Sequence, residues 1–229
     1  QANYEYSKQV LHYATARKVP LVYASSASVY GAGREFRVSE DCERPINVYA
    51  FSKLMFDRHV RQVTASFRAP VIGLRYFNVY GPGEAHKGKM ASVIHHFSEQ
   101  LKSGDEVRLF TGSDGYEDGG QLRDFIHVDD IVAVNLWALE RCGKSGIFNV
   151  GTGQARSFND VASAVLKWHG RGRISYIPFP AHLQGSYQSY TQADLSGLQA
   201  AGYSAPFIPV EAGVPRYLDA LSPGQVLTC

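Results

Sequence analysis

The chain has 229 residues, of which 45% are apolar and 19% are charged, and its formal net charge is +2. Such a composition can build a sizeable core, and the small net charge argues against nucleic acid or an anionic membrane as a main partner. No apolar run approaches the ~18 residues that span a bilayer. The odd number of well-separated cysteines argues against a disulfide framework or a zinc site, so we expect no metal ion and a reducing, cytoplasmic setting.

Helical and strand patterns alternate along the chain. The apolar spacing predicts helices over residues 3–18, 46–67, 90–102, 129–139 (capped by Asp129), from Ser157 onward and over about 210–221. It predicts strands over residues 20–25, 70–77, 106–110, 123–128, 147–150 and 174–178. The segment 114–121 is rich in Asp and Gly and is expected to be mobile. This alternation is typical of an α/β fold, with a parallel sheet covered by helices.

One expected element is missing. Glycine-rich loops that hold dinucleotides carry the spacing GxGxxG between a strand and a helix. Gly151-Thr152-Gly153 follows a predicted strand, but Arg156 stands where the third glycine belongs, so we interpret the segment as an ordinary turn. Because the sequence opens inside a helical pattern and without Met, we expect that the N-terminal βαβ units, with any such loop, are absent.

Tyr49 and Lys53 lie four residues apart near the start of the long predicted helix, so we expect their side chains on one face. A lysine cation one turn away favours the ionised form of a phenol, whose free pKa is about 10. Tyr49 thereby becomes a plausible general base. Taken alone, an exposed surface pair is the commoner interpretation. Ser26 changes the balance, because it ends a predicted strand at the sheet edge where ligands bind.

In this order and context, Ser26, Tyr49 and Lys53 resemble the catalytic triad of the extended short-chain dehydrogenase/reductase family. The run 75–82 (RYFNVYGP) is similar to the members that act on nucleotide sugars. The segments 86–93, 176–180 and 192–195 resemble the ADP-heptose 6-epimerases within that family. The resemblance covers nearly the whole chain.

The resemblance implies a partial Rossmann-like, doubly wound parallel sheet with a smaller α/β substrate-binding domain. Residues 1–79 and 125–152 would form the remaining part of the NADP-binding domain. Residues 80–124 and 153–229 would form the substrate-binding domain. Family members of this kind form homo-oligomers, and a pentamer is expected.

The resemblance further implies an isomerase that supplies heptose for the lipopolysaccharide core. It would interconvert ADP-D-glycero- and ADP-L-glycero-D-manno-heptose by transient oxidation at C6 with bound NADP. Tyr49, with Lys53 and Ser26 beside it, would handle the proton on one face of the sugar, and Lys87 would be the second base. Lys53, Val79 and Lys87 would contact the cofactor. Outside its motif, Lys87 would be interpreted as a solvated loop lysine.

Further positions match substrate contacts of the family. They are Asn78, His96, Phe110, Thr111, Gly112, Ser113, Arg123 and Tyr187. Arg123 can hold a diphosphate in a two-pronged geometry, and the turn 110–113 offers backbone N–H groups to a phosphate or ribose. The structural alternatives are a turn-capping Asn78, a structural His96, a surface network of Arg123 with Asp124, and core packing of Tyr187.

Three features depart from the family pattern. Thr111 replaces an acidic residue, Lys89 stands where a small hydroxyl residue is usual, and the segment 114–121 is longer. Two alternatives therefore stay open. One is another nucleotide-sugar enzyme, such as a UDP-hexose 4-epimerase or a 4,6-dehydratase, which would not need Lys87 as a second base. The other is a non-catalytic fragment that binds a sugar nucleotide or stabilises an assembly.

Overall fold

The computed structural model describes residues 2–64, 67–183, 185 and 187–221. Its α-helices are α1 Ser7–Arg17, α2 Val48–Val63, α3 Val93–Ser103, α4 Val128–Glu140, α5 Phe158–His169, α6 Ser196–Ala200 and α7 Val210–Leu221. Its strands are β1 Leu21–Ser26, β2 Val71–Tyr76, β3 Asn78–Tyr80, β4 Glu106–Phe110, β5 Leu122–His127, β6 Gly146–Val150, β7 Ala155–Ser157 and β8 Arg173–Ile177. The predicted alternation of helices and strands is confirmed.

The first sheet has the strand order β1-β2-β6 and is parallel throughout. Its register pairs Ser26 with Tyr76 and Tyr76 with Val150, so three strands finish at one edge. Buried side chains of β2 and β6 pack against α4 and α6, with Leu74, Val134 and Leu198 almost fully enclosed. The edge that carries Ser26 is therefore held by a rigid apolar layer.

Two smaller sheets lie beyond this edge. One has the order β3-β5-β7, with β3 parallel and β7 antiparallel to β5, and the other pairs β4 with β8 in parallel. The chain passes from the first sheet into the second through Phe77 alone, whose N–H donates to Val150 O at 3.0 Å. The sequence predicted only a sharp end after β2, so β3 is a strand that it missed.

A second core lies among α3, α5, α7 and the strands β4 and β5. Ile94, Leu101, Val165 and Tyr217 are fully buried there. This core lies mostly in the predicted substrate-binding segments, and the first core mostly in the predicted cofactor-binding segments. Helix α6 differs, because it packs on β6 in the first core although residues 153–229 were assigned to the second domain.

Helix termini follow the sequence signals at two places and depart from them at a third. Asn47 caps α2, as its Oδ1 accepts the N–H of Ala50 at 2.8 Å, and Ser157 forms a capping box with Asp160 at α5. The predicted cap Asp129 was wrong. His127 caps α4 instead, since its Nδ1 accepts the Asp129 N–H at 3.2 Å.

Candidate active site

Ser26 is the last residue of β1 and caps the short 3-10 helix Ala27–Tyr30. Its Oγ accepts hydrogen bonds from the Ser28 N–H at 3.2 Å and from the Ser28 Oγ at 2.9 Å. These two donors fix the Ser26 hydroxyl at the carboxyl edge of the first sheet, where the sequence placed it. Its own proton remains available for a further acceptor.

Tyr49 and Lys53 share one face of α2, as the spacing predicts. The Lys53 ammonium lies 5.8 Å from the centroid of the Tyr49 ring, and the phenol side chain is 51% exposed. Lys53 Nζ donates to Ala24 O at 3.0 Å, which anchors it two residues before Ser26. Burial holds the pKa of Lys53 below its ordinary value, and the charge of Asp57 opposes that shift. The three side chains therefore belong to one edge.

Beneath this edge lies a buried ionic network. Arg75 of β2 is fully buried and donates to Asp57 Oδ2 of α2 at 2.9 Å, to Glu43 Oε1 at 2.5 Å and to the Tyr30 hydroxyl at 3.0 Å. Asp57 also accepts the Ser25 hydroxyl at 2.9 Å. The network joins β1, β2, α2 and the loop after β1, so it fixes the helix that carries Tyr49 relative to the strand that carries Ser26.

A cavity of about 470 Å³ opens beside these residues. Two of its lining residues, Ser28 and Asn47, stand two positions from Ser26 and Tyr49 respectively, so the cavity lies next to the segments that carry these residues. Its far wall comes from the second core. Four predicted substrate residues line it: Asn78, Phe110, Arg123 and Tyr187. The structure thus brings together side chains from β3, β4, β5 and the segment after β8.

Arg108 and Arg123 both line this cavity, and Arg123 is the buried one of the two. It is 5% exposed, and its guanidinium lies 4.7 Å from the Tyr187 ring centroid and 5.8 Å from that of Phe158. No ion pair to Arg123 occurs among the described residues. Burial lowers its pKa, but a guanidinium stays charged at neutral pH. A buried, unpaired cation that faces a cavity suits an anionic ligand.

The structural alternative for Arg123, a surface network with Asp124, is excluded. Asp124 is fully buried and accepts the N–H groups of Thr152 at 2.7 Å, Gly153 at 2.9 Å and Ala193 at 2.9 Å. Burial raises the pKa of this carboxyl, and these hydrogen bonds oppose the rise. Asp124 therefore holds the backbone at residues 152, 153 and 193, while the Arg123 side chain lines the cavity.

The same contacts bear on the turn 151–153. Its N–H groups at Thr152 and Gly153 are spent on Asp124, and a Cβ on Gly151 would lie 2.6 Å from the Asp124 carboxylate. The turn is a support for Asp124, as expected of an ordinary strand-to-loop turn, and its N–H groups are not free to hold a dinucleotide's phosphates. The exposed Tyr49 and the Lys53 ammonium do fit the nicotinamide end of such a cofactor.

The turn 110–113 is bound within the protein. The Thr111 N–H donates to Ile177 O at 2.9 Å, and the Gly112 N–H donates to Asp118 Oδ1 at 2.7 Å. Our expectation that these N–H groups would be offered to a phosphate or ribose was therefore wrong for these two. Phe110 still lines the cavity, while Thr111, Gly112 and Ser113 support its wall from behind.

The expectation that residues 114–121 are mobile was also wrong. Asp118 O accepts the Asn159 side-chain amide at 2.7 Å, and the Gly119 N–H donates to Phe110 O at 3.0 Å. Asp114 accepts the Ser189 hydroxyl, and Gln121 is 2% exposed. The segment is folded because its polar groups have partners outside it, and its last residue, Gln121, lines the cavity.

The remaining predicted residues lie outside the cavity. Lys87 is exposed in a short 3-10 segment, Ala85–Met90, and Val79 is partly buried in β3. His96 lines a separate, more open depression with Glu99 and Arg173. Ser26, Tyr49 and Lys53 also lie outside the cavity lining, but Ser28 and Asn47, two positions from Ser26 and Tyr49, are part of it, whereas Lys87 and His96 lie apart.

Glu84 ties down the segment that carries Lys87. Its buried carboxylate accepts the Ser92 N–H at 2.7 Å and the Ser92 hydroxyl at 2.6 Å. Ser92 in turn caps α3, whose residues Val93 and Phe97 line the cavity. Residues 85–91 thus form a short segment, here called the excursion 85–91, and the Glu84 carboxylate joins the residues on either side of it.

Several cavity residues were not foreseen. Phe97 and Phe158 stood in the apolar faces of predicted helices, and nothing in their spacing separates a core position from a ligand contact. Gln121 lay in a segment predicted to be mobile. Ser28 was visible as a hydroxyl just beyond a strand end, and it could have been marked as a site residue on that ground. Among the described residues, no group of His, Cys, Asp and Glu side chains is placed to hold a metal.

Comparison with known proteins agrees with this arrangement. Residues 1–151 match the NAD dependent epimerase/dehydratase family. The chain is 56% identical over 220 residues to the ADP-L-glycero-D-manno-heptose-6-epimerase of Alkalilimnicola ehrlichii, covering 96% of this chain and 69% of that protein. In the described part of the chain, no helix is both long and apolar enough to cross a bilayer.

Solved structures give the same result. The crystal structure of the Helicobacter pylori ADP-L-glycero-D-manno-heptose-6-epimerase is similar with a TM-score of 0.82 and 36% identity, over 96% of this chain and 65% of that one. The Thermus thermophilus UDP-glucose 4-epimerase in complex with NAD gives a TM-score of 0.75 and 27% identity, over 95% of this chain and 68% of that one. The chain therefore spans about two-thirds of the length of these proteins, and it belongs to the NAD-dependent epimerase/dehydratase family.

Proposed function

We propose that the protein is an epimerase that interconverts ADP-D-glycero- and ADP-L-glycero-D-manno-heptose at C6 with bound NADP. The observation that carries the proposal is Arg123, a buried cation without a carboxylate partner in the described chain, in a cavity whose lining includes Ser28 and Asn47, each two positions from Ser26 or Tyr49. The similarity to two proteins named as heptose epimerases supports the choice of substrate.

Different residues of the cavity would bind different parts of the substrate. Arg123, stacked on Tyr187, would bind the diphosphate, because a guanidinium matches phosphate oxygens in a bidentate geometry. Asn78 also lines the cavity, and its amide suits sugar hydroxyls. Phe110 and Phe158 would offer apolar ring faces to the nucleoside. In this proposal the sugar lies at the end of the cavity that Ser28 and Asn47 line, toward Tyr49.

A dinucleotide bound beside Tyr49 and Lys53 would supply reversible hydride transfer at C6. For one epimer, Tyr49 would take the proton of the C6 hydroxyl in the oxidation, and Lys87 would give a proton to the ketone oxygen in the reduction on the opposite face. Lys53, whose ammonium lies 5.8 Å from the centroid of the Tyr49 ring, would stabilise the phenolate, and Ser26 would donate a hydrogen bond to the reacting oxygen. Lys87 serves as the second proton carrier, for the face that Tyr49 does not meet.

The preference for NADP, the pentameric assembly and the cytoplasmic location belong to the same proposal. A UDP-hexose 4-epimerase is the second candidate, supported by the 27% identity to such an enzyme. Incubation of the purified protein with NADP and ADP-D-glycero-D-manno-heptose, followed by NMR of the C6 centre, decides between them. Conversion of UDP-glucose in place of the heptose would overturn the first choice.

The role of Arg123 has a direct test. Because the charge-assisted bonds of one guanidinium are worth about 1.5–3 kcal/mol, Arg123→Gln should weaken ADP binding roughly 10- to 100-fold in calorimetry. Arg156→Gln is the matched control, since Arg156 pairs with Glu211 at the surface. Equal ADP affinity of wild type and Arg123→Gln would contradict a diphosphate site in this cavity.

A further inference from the structure

Gln121 is the most enclosed polar side chain of the cavity wall that has an unused hydrogen-bonding atom. It is 2% exposed, lines the cavity and stands two residues before Arg123. Its main-chain carbonyl accepts the Phe158 N–H at 3.3 Å, which holds it beside one of the cavity's aromatic rings. The proposed mechanism uses none of its atoms.

The amide orientation of Gln121 is fixed by two acceptors. Its Nε2 donates to Thr111 O at 3.2 Å and to Ser113 Oγ at 3.1 Å. Exchanging the two amide atoms would set a carbonyl oxygen against the Thr111 carbonyl, which is repulsive. Both N–H groups are therefore used inside the wall, and Oε1 is the atom that remains.

Oε1 is open to the cavity. In the described chain no hydrogen bond reaches this oxygen, and it is not among the side-chain atoms that are both enclosed and without a partner. An acceptor in such a position interacts favourably with a ligand donor and unfavourably with a ligand acceptor. It therefore discriminates between ligands that differ only in that atom.

We propose that Gln121 is a specificity-determining residue whose Oε1 accepts a hydrogen bond from an N–H or O–H donor on the nucleoside half of the substrate. The inference rests on the proposed nucleotide-sugar site. The location of Gln121 between Phe110 and Phe158 places the donor on the base or the ribose, next to the diphosphate at Arg123. Two donors have this chemistry, the exocyclic amino group of adenine and a ribose hydroxyl.

The test compares ligands on the purified protein by calorimetry. The probes are ADP, purine riboside 5′-diphosphate, which lacks the amino group, and the 2′-deoxy and 3′-deoxy forms of ADP. One of the three analogues should bind wild type roughly 3- to 10-fold more weakly than ADP, the scale of one hydrogen bond, and this identifies the donor. If all four bind wild type equally, the inference is overturned without any variant.

A variant then assigns the effect to Gln121. Gln121→Met keeps the side-chain length and removes the acceptor, so the difference between ADP and the sensitive analogue should vanish. Ser113→Ala is the control, because it removes one bond of the wall and leaves Oε1 in place, so the difference should persist. A uniform loss of affinity for all ligands in Gln121→Met, with the difference retained, means a structural role and overturns the inference. Failure of wild type to bind ADP would instead overturn the proposed function.

Discussion

The surroundings of Lys53 decide when it carries its charge. Its ammonium is partly buried, donates to Ala24 O and lies over the Tyr49 ring. Burial lowers its pKa, and Asp57, one turn further along α2, opposes the shift without cancelling it. Lys53 therefore loses its proton at a lower pH than a free lysine does. In the proposed mechanism the phenolate of Tyr49 needs this cation, so the charge of Lys53 should set an upper pH limit for catalysis.

This limit can be measured as the alkaline side of the pH–rate profile. The rate should fall as pH rises through the Lys53 pKa, since the protonated form exists only below that pKa. Lys53→Arg keeps a cation whose pKa lies far above, so the fall should move to higher pH, whatever the absolute rate of the variant. The rate of conversion of the heptose substrate between pH 7 and 11 is the measurement. An alkaline fall at the same pH in both proteins would contradict the assignment to Lys53.

Lys87 has a different environment, since it is exposed on the excursion 85–91. If it is the second proton carrier, Lys87→Ala should slow epimerisation by roughly 100-fold or more, the scale of losing a general base. Lys89→Ala, two residues away and also exposed, is the control and should retain most of the rate. Near-normal turnover of Lys87→Ala would eliminate the role and favour a 4-epimerase, which needs no second base.

At the scale of elements, Glu84 connects the segment that carries Lys87 to the start of helix α3. Its carboxylate holds both ends of the excursion 85–91 through Ser92, so the path of Lys87 depends on one buried side chain. Gly88 has φ 54° with open space around it, so the excursion itself adds little constraint. The clamp at Glu84 is therefore the main restraint on this segment.

Replacing Glu84 should release the segment. Glu84→Gln lacks the charge that strengthens both hydrogen bonds, a loss of about 1.5–3 kcal/mol. We expect faster hydrogen exchange of the amides in 85–92, and a lower turnover number with little change in ADP affinity. Glu99 is an exposed acid on α3 that pairs with Lys102, so Glu99→Gln is the control and should show neither effect. Unchanged exchange in Glu84→Gln would show that other contacts hold the segment.

Sequence patterns predicted the elements whose causes are local. The strand 106–110 and the helix 210–221 have the predicted bounds, and Asn47 starts α2 where its capping chemistry requires. Strand β3 was missed, because three residues carry no period of their own and their partner β5 lies more than 40 residues away. The order of the segment 114–121 was missed for the same reason, as its bonds go to Phe110 and Asn159.

The site residues also differ in whether local sequence patterns could predict them. Tyr49 and Lys53 could be placed on one face from a spacing of four, which is local geometry. Arg123 and Tyr187 were predicted together as site residues only through the family resemblance, because no rule of sequence spacing relates them. Neither local spacing nor the family resemblance identified Gln121 as a site residue. Its role depends on Thr111 and Ser113 taking both of its protons, and this exists only in the folded chain.

At the scale of the whole molecule, the buried network around Arg75 links stability to pH. Glu43 is fully enclosed between Arg75 and Arg61. Burial opposes its ionisation, yet the hydrogen bonds from Arg61 and the charge of Arg75 hold its pKa below the ordinary value. A carboxyl with a depressed pKa stabilises the fold above its unfolded pKa of about 4.3, and the contribution is lost as pH falls through the folded pKa.

Glu43→Gln tests this linkage. It leaves Arg75 and Arg61 without their shared anion, and breaking a buried pair costs about 3–5 kcal/mol at neutral pH. The loss should shrink as the pH is lowered, because wild type then loses the same contribution. Urea unfolding at a series of pH values is the measurement, and the exposed Glu40→Gln is the control. A loss that stays constant down to pH 3 would refute the linkage.

The single residue between β2 and β3 has a consequence for how such an enzyme can change. Because Tyr76 belongs to one sheet and Asn78 to the next, the edge that ends at Ser26 and the cavity that Asn78 lines are joined by unbroken backbone, with a spacing of about 3.3 Å per residue. Insertions in the segment 114–121, whose last residue Gln121 lines the cavity, leave that spacing untouched. The cavity can thus vary through one loop while this spacing stays the same, whereas one residue inserted at Phe77 would turn Asn78 to the opposite face of its strand.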